Sequence, residues 1–361
     1  MATITTTNAA NLFVFNASLN NFGGTLSFGT SSNIFRFNNS TNSNNCLGSA
    51  TATFDLGTGA ATLNNLNGAG LTYDLGALAG GANTVLTGRG TTNSSAPSGT
   101  TYSIGANGSS TTFSGKITNG LAFNGVGVDT VSIVKVGSGR LLLNGVSTYT
   151  GTTTVSNGVL GGTGSIASPL TVTVGGTLSP GAPVGTFTVS NNVTLGGTLL
   201  MELNEASSSF NDMLAVNGTI AATGALVVTN IGPDLYNHTT FKLFSKAVTG
   251  FSSVTLPAKD PSNTKTYTWN NNLSVDGSIQ LVSGGTINPN PTNISFSVSG
   301  GILNLSWPAD RTGWRLQVQT NSLSVGLGNN WVTVPGSTNV NSVPIPLDAN
   351  NGSVFYRLIY P

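Results

Sequence analysis

Eleven Asp and Glu residues are scattered through 361 positions, and only Glu202, Glu205 and Asp212 gather locally. Glycoside hydrolysis needs two carboxyl groups flanking the scissile bond, roughly 5 Å apart for retention and further for inversion. Glu202 with Glu205 or Asp212 reaches such a spacing across a turn. In an extended strand, however, Glu202 faces away from Met201 and Leu203. The stronger reading is structural, with Glu202 on a solvated strand edge and Asp212 capping a turn. Cleavage of an acidic polysaccharide by elimination needs a base and Lys, Arg or Ca²⁺ beside several carboxylates, and no repeat concentrates them. Gly161-Gly-Thr-Gly-Ser-Ile nearly fits a calcium-binding repeat, but Ser165 and Ile166 stand where a carboxylate is wanted.

His238 is the single histidine, in a turn-like Tyr-Asn-His-Thr setting that reads as surface or packing. Cys46 is the single cysteine, which excludes an intramolecular disulfide and a zinc site of several thiolates. It reads as a partly buried small residue. No phosphate-binding Gly-x-x-x-x-Gly-Lys-Ser/Thr and no His-Glu-x-x-His occurs. No catalytic, metal-binding or cofactor-binding residue is assigned, and no cofactor is expected. Trp307, Trp314 and Trp331 cluster near the C-terminus. Flat rings can form a platform for sugars, but anchoring of a small core is the stronger reading.

These residues sit in a chain built from one repeated phrase. Thr154-Val155, Thr171-Val172 and Thr188-Val189 recur at an offset of 17, and Gly-Gly-Thr-Leu appears at 175–178 and 196–199. Alternating Thr and aliphatic residues punctuated by glycine, at a period near 20, is the signature of stacked solenoid coils. Val155, Val172 and Val189 are expected to form one aliphatic ladder, with threonine facing water. The period predicts about a dozen coils over residues 51–285, a solenoid on the order of 55 Å long.

Residues 1–50 are Phe-rich, with Leu12-Phe13-Val14-Phe15 and Ile34-Phe35-Arg36-Phe37, and read as an N-terminal β cap. Residues 90–100 read as a projecting loop, and residues 231–285 as the last coils and a C-terminal cap. Residues 286–292 read as a stiff polar linker. Residues 293–361 carry short strands that suit a small antiparallel β-sandwich. Pro344 and Pro346 mark one of its strands as an edge.

Only 6% of residues are charged and the net charge is +1. Such a chain has no field to attract nucleic acid and little repulsion between copies. No apolar run is long enough for a membrane-spanning helix. Met1-Ala-Thr-Ile shows no charged or apolar leader region, so the Asn/Thr/Gly-rich composition points to the mature form of an exported protein.

Further residues carry a family likeness. Thr101-Tyr-Ser-Ile-Gly, Ser114-Gly-Lys-Ile-Thr-Asn-Gly, Lys135-Val-Gly-Ser-Gly-Arg-Leu-Leu-Leu-Asn-Gly and Thr148-Tyr-Thr-Gly-Thr-Thr-Thr-Val resemble the autotransporter-associated β-strand repeat of bacterial surface proteins. Gly176-Thr-Leu-Ser-Pro-Gly, Leu200-Met-Glu-Leu-Asn and Asn211-Asp-Met-Leu-Ala-Val continue it, in the manner of long Asn/Thr/Gly-rich proteins of Verrucomicrobia-type bacteria. The resemblance implies export, a right-handed parallel β-helix and no family-wide enzymatic activity. It departs from the family in lacking a C-terminal β-barrel segment of autotransporter length.

The sequence thus predicts an all-β protein, a right-handed parallel β-helix (β-solenoid) followed by a small C-terminal antiparallel β-sandwich. Its expected function is that of a non-enzymatic structural protein, secreted or at the cell surface, that associates with copies of itself, with filaments as one form. Leu12, Phe13, Val14 and Phe15 are the candidate self-association strand. The alternative is an adhesin binding a surface glycan through Trp307, Trp314 and Trp331, and the remote alternative is a β-helix polysaccharide-degrading enzyme.

Overall fold

The computed structural model describes residues 2–3, 12–16, 19, 22–40, 44–66, 70–90, 99–121 and 127–361. Most of the expected loop at 90–100 lies outside them. The described residues are all-β, with two 3₁₀ turns and no α-helix. The chain divides into two units, residues 1–231 with 242–256 and 272–278, and residues 232–241 with 257–271 and 279–361.

The first unit is a parallel β-solenoid. Its four main sheets contain ten, five, seven and four strands, and neighbouring strands pair in parallel. The cause is the alternating pattern. In Thr198–Leu203 the residues Leu199, Met201 and Leu203 are buried while Thr198, Leu200 and Glu202 face outward. One face therefore loses contact with water in every coil, and equivalent positions stack about 4.8 Å apart. The two Gly-Gly-Thr-Leu phrases are such equivalents, since Thr177 pairs with Thr198 and Leu178 with Leu199.

The Thr-Val ladder is correct for two rungs and wrong for the third. Val155 stacks on Val172, but Val172 stacks on Leu195. Val189 lies in another sheet, between Ile166 and Val216. Coil length is the reason. The coil from Thr153 to Leu170 takes 17 residues, and the next, from Leu170 to Val193, takes 23, so a constant offset drifts onto a different face. The coil from Thr100 to Val131 takes 31. Coils of this length make fewer turns than the expected dozen.

The stretch read as an N-terminal cap is part of the solenoid. Leu12–Phe15 pairs in parallel with Ile34–Phe37, which pairs with Thr62–Asn65, and Thr25–Ser27 pairs with Gly48–Asp55. Its phenylalanines fill the interior as a stack, with Phe13 on Phe35 at 5.5 Å and Phe28 on Phe35 at 3.6 Å. Phe37, Tyr73 and Tyr102 continue it at 5.6 and 5.8 Å. Further along the core is aliphatic, as at Ile133, Val155, Val172 and Leu195. Aromatic residues thus fill the core as far as Tyr102 and Phe113, and the Phe-rich stretch marks a core filling, not a separate architecture. Ser253–Thr255 adds the last strand of the seven-stranded sheet, beside Ala225–Asn230.

Thr240–Lys242, Ser278–Ser283 and Thr268–Asn272 form a three-stranded sheet. Residues 293–361 contain two antiparallel three-stranded sheets. One has the order Ser295–Ser299, Ile302–Ser306, Ser342–Pro346, and the other Val332–Thr333, Arg315–Asn321, Ser353–Ile359. Leu305, Trp307 and Leu316 are buried, packed by Leu303, Val343, Ile345, Tyr356 and Leu358. Pro344 and Pro346 lie on an edge strand, as predicted. The segment read as a polar linker is packed down. Asn288 is buried, donates to Asp310 at 2.7 Å, and through its carbonyl accepts from Trp314 Nε1 at 2.8 Å.

Candidate functional site

The structure joins Glu202 and Asp212 through the backbone. Asp212 is buried just before Met213–Val216. Its Oδ1 accepts from the Gly185 N–H at 3.0 Å and its Oδ2 from the Glu202 N–H at 2.8 Å. Burial pushes its carboxyl up to about 8, against those two donors. Glu202 is also raised by burial, while the nearby Arg140 charge pulls it down. Arg140 Nη2 donates to Ser179 Oγ at 3.2 Å. A carboxyl that titrates near neutrality has the property of a general acid. Asp212, however, is sealed from solvent and both its oxygens hold main-chain donors. A Cβ at Gly181 would come within 2.2 Å of Asp212 Oδ1, so the aspartate closes the 181–185 loop. Its geometry is that of the turn cap read from the sequence. Met201 and Leu203 pack inward as predicted, and Glu205 is nearly buried.

A second buried acid was missed. Asp129 Oδ2 accepts from the Arg89 N–H and from Thr100 Oγ1, both at 2.7 Å. Asn65 Nδ2 donates to Thr100 Oγ1 at 3.0 Å, and Arg89 Nη2 to the Leu121 carbonyl at 2.9 Å. This network ties successive coils together at one corner. Nothing in the phrase Gly127-Val-Asp-Thr distinguishes Asp129 from a solvated aspartate, because its partners come from 29 and 40 residues away.

The residues that carried the family likeness have structural tasks. Lys135 is buried, and its Nζ donates to the carbonyls of Val136 at 2.6 Å, Gly137 at 3.0 Å and Asn157 at 3.2 Å. It clamps a corner of its own coil to the next, and burial brings its pKa down to about 8. Gly137 has φ +65°, and a Cβ there would stand 2.0 Å from the Gly105 carbonyl oxygen. Only glycine fits that position. Tyr149 is buried, its hydroxyl 2.6 Å from Thr153 Oγ1, which is 2.6 Å from Ser168 Oγ. The Lys-Val-Gly and Thr-Tyr-Thr phrases are therefore corner chemistry.

The three tryptophans form no common platform. Trp307 and Trp314 are buried, so the core reading applies to them. Trp331 is half-buried and carries Arg357 on its ring, 4.2 Å from the centroid. Leu12, Phe13, Val14 and Phe15 lie together on one strand at the end of the five-stranded sheet. Phe13 and Phe15 pack on Phe35, Phe28 and Phe37, while Leu12 and Val14 are 42% and 40% exposed. Cys46 is fully buried, beyond the partial burial read from the sequence, and burial raises its thiol. His238 stands at φ +63° beside the Ser278–Ser283 strand, its N–H donating to the Leu281 carbonyl.

No curated protein matches the chain. Residues 133–161 match the family model of the passenger-associated transport repeat, and the match spans Lys135, Gly137 and Tyr149. Over these residues, which lie in the coils of the parallel β-solenoid, the chain is similar to the autotransporter passenger repeat.

Proposed function

We propose that the protein is a non-enzymatic structural element of the cell surface or extracellular matrix that associates with copies of itself through the outer edge of Leu12–Phe15. The observation that carries this reading is the state of that edge. Leu12–Phe15 is terminal in its sheet, and among the described residues no strand pairs with its outer side. Phe15 O accepts from Asn38 N on the inner side, so alternation turns the Val14 N–H and C=O outward. A strand from a neighbouring copy continues the parallel ladder there, by the same addition that builds each rung. The near-zero net charge offers little opposition.

The test is electron microscopy and light scattering across a concentration series, comparing the wild type with Val14→Pro. Proline removes the outward donor and leaves the inner ladder intact. Assemblies with a regular repeat that Val14→Pro abolishes support the proposal. A wild type that stays monomeric throughout overturns it.

A further inference from the structure

We propose that Ser295–Ser299 is a second association surface, pairing antiparallel with the same strand of another copy about a two-fold axis at Ser297. The inference stands apart from the Leu12–Phe15 edge and rests on a contrast between the two edges of one small sheet. On one side Ser342–Pro346 carries Pro344 and Pro346. Trp307 N donates to Asn341 O, and Leu347 N to Gly301 O. Residues 341, 343, 345 and 347 therefore turn their polar backbone groups inward, which leaves both prolines on the outward positions. That edge has lost the outward donors of positions 344 and 346 and is a poor template for another strand.

The opposite edge has no such protection. Ser295, Phe296, Ser297, Val298 and Ser299 are all exposed, with no proline, charge or bulge among them. A two-residue hairpin, Gly300 at φ +57° and Gly301 at φ +77°, joins the strand to Ile302–Ser306. In such a turn the flanking Ser299 and Ile302 form a hydrogen-bonded pair. By alternation Ser295 and Ser297 also bond inward, and the N–H and C=O of Phe296 and Val298 point into solvent.

The side chains agree. Phe296 stands opposite Leu305 and Val298 opposite Leu303, so both lie on the face that forms the core of the sandwich. They are nevertheless 75% and 58% exposed, and neither is among the side chains packed on the Leu305, Trp307 and Leu316 core. The occupant is a second copy because the strand is its own complement. Ser-Phe-Ser-Val-Ser reads the same in polarity from either end. A two-fold at Ser297 sets each Phe296 opposite the partner's Val298, on one face. Each of these pairs exchanges both of its main-chain hydrogen bonds, using the groups now turned to solvent. The contact is isologous, so it closes at two copies instead of propagating.

The test is oligomeric state, measured by analytical ultracentrifugation of the full chain from about 1 to about 500 μM. Val298→Pro copies the device at positions 344 and 346 and is expected to weaken dimerisation at least roughly tenfold with the circular dichroism spectrum unchanged. Ser297→Cys tests register: antiparallel non-hydrogen-bonded positions bring Cα atoms within about 4.5 Å, so mild oxidation is expected to cross-link it. Ser295→Cys faces Ser299 in this register and is expected to stay uncoupled. A dimer insensitive to Val298→Pro, equal cross-linking of both cysteine variants, or a monomer throughout overturns the proposal. Assembly lost with Val14→Pro but not Val298→Pro overturns this interface while supporting the N-terminal one.

Discussion

Asp212→Asn separates a buried acid from a surface one by its pH dependence. Asp212 titrates near 3.8 when unfolded and at about 8 in the fold, the rise coming from burial. Between those values the folded chain holds a proton that the unfolded chain has released, so stability falls as pH rises from about 4 to about 8 and is flat beyond. At 1.36 kcal/mol per unit, the full shift sets a ceiling of roughly 5–6 kcal/mol. Relaxation of the 181–185 loop around the charge reduces this, and ~2–4 kcal/mol is the expected span. Asparagine cannot ionise, and its amide presents one acceptor where two main-chain donors are held, so the variant starts lower at pH 4 by about 1–2 kcal/mol. The difference between the two proteins then shrinks with pH and changes sign near or above neutrality. Urea unfolding at pH 4, 6, 8 and 9 measures it, with the other carboxylates cancelling in the difference. Parallel curves for the two proteins would refute the assignment of a buried, raised Asp212.

Lys135→Met leaves the carbonyls of Val136, Gly137 and Asn157 without their donor. Relief from burying a charge offsets part of that, and a net loss of about 3 kcal/mol in urea is expected. Because burial lowers Lys135 from 10.5 to about 8, the unfolded chain holds more protons between those values. Wild-type stability should rise with pH across that window through Lys135, and the rise should be smaller in Lys135→Met. Gly137→Ala places a Cβ 2.0 Å from Gly105 O at φ +65°, whereas Gly300→Ala at φ +57° meets nothing within 4 Å. Thermal melts should show the first costing several times the second, for which about 1 kcal/mol is expected from φ alone. Glycan-array binding, if present, should fall with Trp331→Ala, since Trp331 is the one tryptophan of the three that is not buried; binding unchanged by that substitution would remove the platform.

The fold was legible where a local rule and the tertiary structure agree. Alternation in Thr198–Leu203 fixes which residues face inward whatever lies on the next rung, so the burial of Met201 and Leu203 could be read directly. Glycine placement likewise marked the corners, because the need for positive φ at Gly137 is local. What failed depended on coil length. A 17-residue offset identifies Val172 as the neighbour of Val155 but carries Val189 to another sheet, since the following coil is longer. The Phe-rich N-terminus misled for a related reason, as aromatic filling looks like a boundary when it is only a core with Phe28, Phe35 and Phe37 in place of valine. The buried polar groups were least legible. Lys135 and Asp129 have the composition of surface residues, and what makes them interior is a set of hydrogen-bond partners that includes groups 22, 29 and 40 residues away.

The same distinction explains why the two edges of the Ser295–Ser299, Ile302–Ser306, Ser342–Pro346 sheet are not equally visible in sequence. Pro344 and Pro346 announce an edge by residue type alone. Nothing in Ser-Phe-Ser-Val-Ser announces that its apolar residues stay uncovered, since the alternation is that of an ordinary half-buried strand. Exposure of Phe296 and Val298 is a matter of tertiary packing, since neither is among the side chains packed on the Leu305, Trp307 and Leu316 core. A chain that closes one edge with two prolines and leaves its other edge bare of charge treats the two differently, and the expected consequence is that Val298→Pro acts on assembly and not on folding.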